Sequence, residues 1–156
     1  MTDSTRSMLT DKLEQSGLSR GDTVLVHSDA TVIRDLSGLK WSEALTLLKE
    51  SNLDVIGPSG TLVVPTFNWD FCSGKKYRHE KTRSQVGMFS QNVLSDKRSI
   101  RSLHPIYSFG AIGPSSNSLF ENISKSSFGN DSVFSRLHEA NAKMLFFNVP
   151  FEVCTL

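Results

Sequence analysis

Two hydrophobic periods alternate along the chain. Met8, Leu9 and Leu13 recur at helical spacing and predict a helix that ends at Gly17. Past the turn residues Gly21 and Asp22, residues 23–27 form a short, β-branched and nearly unbroken apolar run, the pattern of a strand buried on both faces. A polar loop follows, then Trp41, Ala44, Leu45 and Leu48 predict a second helix. Gly57-Pro58-Ser59-Gly60 breaks it ahead of another buried strand over residues 61–66. Strand, helix and strand make a βαβ unit, which calls for parallel strands and a right-handed crossover. Residues 67–83 keep no period and read as a loop whose length points to function. Val86, Phe89 and Val93 mark a helix, residues 107–112 a third strand and residues 119–123 a short helix. Asp131 or Ser132 caps a further helix with Val133, Phe134 and Leu137 on its core face, and Asn141 suits its left-handed end. Residues 144–149 read as a fourth buried strand. The series predicts one α/β domain, a three-layer α/β/α sandwich around a largely parallel sheet.

In such sheets ligands bind beyond the carboxyl ends of the strands. His27, Thr66 and Asn148 each stand where an apolar run ends, so residues 27–29, the loop after Thr66 and the segment after Asn148 are expected to form the site. His27 at such a place is either a site group or a packed structural histidine. His104 is held extended by Pro105; with Arg101 and Ser102 it offers either a phosphate contact or a solvated turn. A carboxylate at Asp29 or Asp70 can hold an amine or orient a base, although each alone is more often a cap or turn residue. His79 reads as solvated and His138 as a half-exposed helix residue.

Charge and cysteine usage narrow the chemistry. Seventeen basic residues against 16 acidic ones leave a net charge of +1, which argues against a nucleic-acid partner. The four histidines and two cysteines have no metal-ligand spacing, so no metal is expected, and Cys72 has no histidine partner that would activate it. No apolar run approaches the ~20 residues of a membrane span, and the polar start has no signal-peptide core. The reading is a cytoplasmic protein with reduced thiols and no membrane partner, with an oligomer left open. Nucleophile-elbow, phosphate-loop and dinucleotide fingerprints are absent.

Five strings then stand in register. They are Gly21-Asp22-Thr23-Val24-Leu25-Val26-His27-Ser28, Gly57-Pro58-Ser59-Gly60-Thr61 through Phe67, Ser84-Gln85-Val86-Gly87, Arg101-Ser102-Leu103-His104-Pro105 through Phe109, and the stretch from Gly129 to Leu137 with Asp131-Ser132-Val133-Phe134. Together they resemble the aminoglycoside 3-N-acetyltransferase family over residues 11–156. The resemblance implies acyl transfer from acetyl-CoA or another acyl-CoA to the amine of an amino sugar. It implies that His27, Ser28, Arg101, Ser102, His104 and Ser108 line the coenzyme groove. Asp70 would face the amine as the candidate catalytic residue, with Asp29 and Asn148 beside the substrate. The family's base is a histidine followed by a glutamate. Cys154-Thr155-Leu156 matches the lead-in to that histidine, so the resemblance makes this chain the N-terminal portion of the enzyme, truncated before its base and inactive alone.

The acceptor can be a nucleotide-linked amino sugar or an aminoglycoside antibiotic. The loop after Thr66 carries Lys75, Lys76, Arg78, Lys81 and Arg83 against Asp70 and Glu80, which favours an anionic acceptor over a polycation. The alternative is an inactive remnant that binds coenzyme A or a partner.

Overall fold

Strand alternation divides the core into two layers. In the computed structural model, which describes residues 2–154, five strands form one sheet in the order β3-β4-β2-β1-β5. β1 (Thr23–Ser28) is flanked in parallel by β2 (Thr61–Pro65) and β5 (Lys143–Phe147), with Thr23 opposite Thr61 and His27 opposite Phe146. Val24, Val26, Leu62 and Val64 point to one face, where they pack under α1 (Thr2–Gln15), α3 (Trp41–Ile56) and α4 (Met88–Leu94). Leu25, Val63, Phe109 and Ala111 point to the other, under α5 (Ser116–Phe120) and α6 (Val133–Glu139). Covering both faces is what allows β1 and β2 to be continuously apolar, and it gives the three-layer α/β architecture that the pattern predicts.

The third predicted strand is present with reversed direction. β4 (Phe109–Ile112) runs antiparallel to β2, and β3 (Ile100–Arg101) antiparallel to β4. The crossover through α4 therefore ends in β3, and the turn 102–108 folds β4 back between β3 and β2. A two-residue strand has no period to detect, so β3 is invisible in the sequence. The sheet is thus parallel over β2-β1-β5 and antiparallel at its other side.

Two other expectations are corrected. The polar loop after β1 contains α2 (Thr31–Ser37), a helix that buries Ile33 alone and closes on the left-handed Gly38, too little apolar surface to betray a period. β5 is half-exposed rather than buried, because among the described residues it pairs only with β1. Both helix ends are as the sequence predicts: Ser132 Oγ accepts from the Ser135 amide at 3.2 Å, and Asn141 is left-handed at φ 49°. At the other end of the sheet, a Cβ on Gly60 would fall 2.5 Å from Ile56 Cβ, so glycine lets α3 end against β2. Among the described residues no helix is long and apolar enough to cross a membrane.

Candidate active site at the carboxyl ends of the strands

Parallel pairing brings the carboxyl ends of β1, β2 and β5 to one edge, where the chain leaves the sheet and a crevice of about 260 Å³ opens. His27 and Ser28 enter it from β1, Phe67 and Trp69 from the segment after β2, Ser90 from α4, and Val153 from the turn after β5. His27 is 8% exposed, stacks on Phe146 at 5.5 Å and approaches Cys154 Sγ at 3.9 Å through Nε2. Burial pushes its imidazole below the ordinary value and the Cys154 thiol above it. The two therefore face each other uncharged at neutral pH, as a neutral imidazole and a protonated thiol. Thr155 and Leu156, the rest of the expected lead-in, lie outside the described residues.

The segment 101–108 borders this edge through β4, whose Phe109 stands opposite Pro65. Its polar groups are spent on the protein. Arg101 donates through Nε to Ser108 Oγ at 3.1 Å, through Nη1 to the carbonyls of His79 (3.0 Å) and Thr82, and through Nη2 to the Thr66 carbonyl at 3.0 Å. Its guanidinium also lies 5.5 Å from the Tyr77 ring. The arginine thereby ties the loop after β2 back to the sheet end, leaving one Nη2 hydrogen outside these bonds. Ser108 Oγ, fully buried, also donates to the Thr66 carbonyl at 3.0 Å, and Ser102 Oγ accepts from the Phe109 amide at 2.9 Å. His104 Nδ1 accepts from the amides of Tyr107 (2.9 Å) and Ile106 (3.2 Å), which places the proton on Nε2, 3.3 Å from Ser127 Oγ. His104 is buried, and burial pushes its pKa down, so it organises the turn as a neutral imidazole. The solvated reading of His79 is corrected as well: it is half-buried in the same clasp, and burial pushes its pKa down ahead of the Arg101 charge.

The carboxylates divide. Asp29 Oδ1 accepts from the Thr31 amide at 2.9 Å and from the Thr31 hydroxyl, and Oδ2 accepts from Asn148 Nδ2 at 3.3 Å. These bonds hold its pKa below the usual carboxylate value, and they tie the end of β1 to the end of β5. Asn148 makes this contact from a left-handed backbone, φ 54°. Asp70 opens a 3₁₀ turn in the loop, where Oδ1 accepts from Lys75 Nζ at 3.0 Å and Gln85 Nε2 at 3.2 Å. Of the residues picked from sequence, His27 and Ser28 line the crevice directly; the others stand behind or beside it. Trp69 and Ser90 were missed. An exposed tryptophan in a long loop was a usable signal, whereas a serine inside a helical period carries none. No group of three or more metal-ligating side chains occurs among the described residues.

Comparison with known proteins identifies the fold. The sequence is 26% identical to aminoglycoside N(3)-acetyltransferase IX of Micromonospora chalcea, an alignment covering 97% of this chain and 59% of that protein. The fold superposes on aminoglycoside acetyltransferase AAC(3)-Xa with a TM-score of 0.84 at 23% identity, covering 96% of this chain and 58% of that one. It superposes on AAC-IIIb, solved as a binary complex with CoASH, with a TM-score of 0.78 at 18% identity, covering 90% and 58%. The chain thus spans under two thirds of the length of these relatives. The family model for aminoglycoside 3-N-acetyltransferase matches residues 25–156, and the chain belongs to that family.

Proposed function

We propose that this chain supplies the coenzyme side of an acyl-CoA-dependent N-acyltransferase that acylates the amine of an amino sugar. The observation that carries the reading is the crevice itself, open at the joined carboxyl ends of three parallel strands. Its walls, Val26, Pro65, Phe67 and Val153, are apolar, while His27, Ser28 and Ser90 offer a few polar groups. That mixture suits the thin arm of an acyl-coenzyme A, alternately methylene and amide. His27 and Ser28 face the arm in this reading. Arg101, Ser102, His104 and Ser108 act as positioning residues that hold the edge, and Asp29 with Asn148 fixes its far side. Asp70, in the loop beside the crevice and paired with Lys75, is in this reading the carboxylate that attracts the ammonium.

In the reaction the neutral amine attacks the thioester carbonyl, the C–N bond forms, the C–S bond breaks and the thiolate takes up a proton. The crevice contributes by holding the thioester in a water-poor slot with its carbonyl exposed to the acceptor. With acyl-coenzyme A as donor, the reaction belongs in the cytoplasm. The acceptor is either an aminoglycoside, as the relatives' names suggest, or a nucleotide-linked amino sugar, which the basic loop favours.

Calorimetry with acetyl-CoA tests the coenzyme assignment. Binding should be present and should be lost in Val153→Trp, which fills the crevice from an exposed position. Thioester loss on adding amino sugars then distinguishes transfer from binding alone. A cooperatively folded chain that ignores acetyl-CoA, or a Val153→Trp variant that binds it unchanged, overturns the reading.

A further inference from the structure

The loop after β2 forms a second concavity beside the crevice. It has a volume of about 370 Å³ and includes Asn68, Asp70, Phe71, Tyr77, Lys81 and Arg83 in its lining. Four of its lining residues are basic, Lys75, Lys76, Lys81 and Arg83, against the single acid Asp70. Lys75 is neutralised by Asp70 at 3.0 Å, while Lys76, Lys81 and Arg83 are exposed and have no ion-pair partner among the described residues. Elsewhere Arg6, Arg34, Lys49, Arg98 and Lys143 each hold a carboxylate. Among the described residues, cations without an ion pair occur elsewhere too, Lys12, Lys97 and Lys125 for example; what marks this surface is that three of them line one concavity whose single carboxylate is already paired.

The groove is also fixed in shape. Arg101 holds the carbonyls of His79 and Thr82 from beneath, Asn68 Nδ2 donates to the Arg83 carbonyl at 2.9 Å, and the Gln85 amide donates to the Phe67 carbonyl at 2.9 Å. Trp69 N in turn donates to Gln85 Oε1 at 2.9 Å. Each of these bonds uses backbone or neutral atoms on the inner side of the loop and leaves the cationic side chains outside. Phe71, 50% exposed, stands on the same groove and provides an aromatic face. The segment 67–70 stands between the two cavities, with Phe67 and Trp69 lining the crevice and Asn68 and Asp70 lining the groove, so a molecule seated in the groove lies beside the crevice and reaches it past this segment.

We infer that this groove binds the diphosphate of a nucleotide-linked amino sugar. Lys76, Lys81 and Arg83 would contact the phosphate oxygens and Phe71 the base, with the amine directed past Asp70 toward the thioester. The inference rests on the acyltransferase reading for the identity of the amine, while the anion site itself does not. The charge pattern suits two negative phosphates and repels a polycationic antibiotic. Arg83 can grip one phosphate with two parallel N–H bonds, a geometry a lone lysine cannot supply.

The test is titration of the full chain with uridine diphosphate, followed by tryptophan fluorescence and by calorimetry, with acetyl-CoA and sisomicin titrated in parallel. Uridine diphosphate should bind, weaken as salt is raised and lose about tenfold or more in affinity in Lys81→Glu or Arg83→Glu. Arg78→Glu, on the same loop but outside the lining, should change affinity far less; thermal melting confirms that the variants fold. Acetyl-CoA binding should survive the two groove variants. If uridine diphosphate does not bind, or binds equally to both groove variants, the proposal is overturned even with acetyl-CoA bound normally. If acetyl-CoA is instead the ligand weakened by these variants, the cations serve the coenzyme phosphates and the proposal also fails. Uridine diphosphate binding with the expected losses but no acetyl-CoA binding would uphold the groove and refute the acyltransferase reading.

Discussion

Replacing Arg101 by alanine gives the sharpest view of how this edge is built. The side chain spans three segments: Thr66 at the end of β2, Ser108 at the start of β4, and the carbonyls of His79 and Thr82 in the loop. Hydrogen bonds from a charged donor contribute about 1.5–3 kcal/mol each in folded proteins. The sum is not additive here, because the loop carbonyls reach water once the loop lifts and regain part of that energy. The two bonds on the sheet side are the costly ones, since Ser108 and Thr66 are fully buried and water cannot replace the guanidinium there, although Thr66 Oγ1, 2.9 Å from Ser108 Oγ, keeps that hydroxyl from being left without a donor. A net loss of about 3 kcal/mol follows, and for a chain of this size that lowers Tm by about 6–12 °C. Amide exchange should accelerate first across residues 78–85, where the Gln85 amide to Phe67 carbonyl bond closes the loop. Arg101→Lys should recover less than half the loss, because one ammonium cannot bridge carbonyls on two sides of its axis. The measurement is thermal unfolding of the three proteins with hydrogen exchange read at peptide resolution. Should Arg101→Ala melt within about 2 °C of the parent with unchanged loop exchange, the clasp is wrong. If acetyl-CoA affinity also collapsed, the guanidinium would belong to the coenzyme phosphates.

Substitutions at two further sites test how the fold is held. Asn148→Val should cost about 2 kcal/mol in urea unfolding, since a β-branched residue opposes the left-handed backbone and the bond to Asp29 is lost, whereas Asn148→Gly should cost far less. Asp96 lies 2.6 Å from the buried Lys49 Nζ and 2.7 Å from Arg98, whose hydrogen bonds, Arg98's first, hold its pKa far below the usual carboxylate range. Because the folded pKa is depressed, this stabilisation is complete above the unfolded value of about 4 and disappears as pH falls below it. Asp96→Asn should therefore destabilise by about 2–4 kcal/mol at pH 7, and the gap to the parent should narrow at pH 3; an unchanged gap would refute the linkage.

The strands β1 and β2 were legible because both faces of each are covered, which leaves an unbroken apolar run; β5 carries a similar run and is a strand as well, but its half-exposure was not legible. The helix α3 was legible for the opposite reason, a single buried stripe along its 16 residues. From those elements alone the carboxyl edge followed, and with it His27 and Ser28 in the crevice. Local chemistry carried the caps at Ser132 and Asn141 too, because capping depends on residues a few positions apart. What the sequence could not decide was the direction of β4, since strand pairing is settled between segments and a two-residue β3 has no period of its own. Nor could it say what Arg101 holds. An arginine beside a serine and a histidine reads as a phosphate contact, and only the return of a loop 19 to 22 residues earlier in the chain puts carbonyl oxygens within its reach. The basic residues of that loop were visible from the start. That they face one groove while the arginine behind them faces inward is a matter of which side of the backbone the clasp binds, and tertiary structure alone sets it.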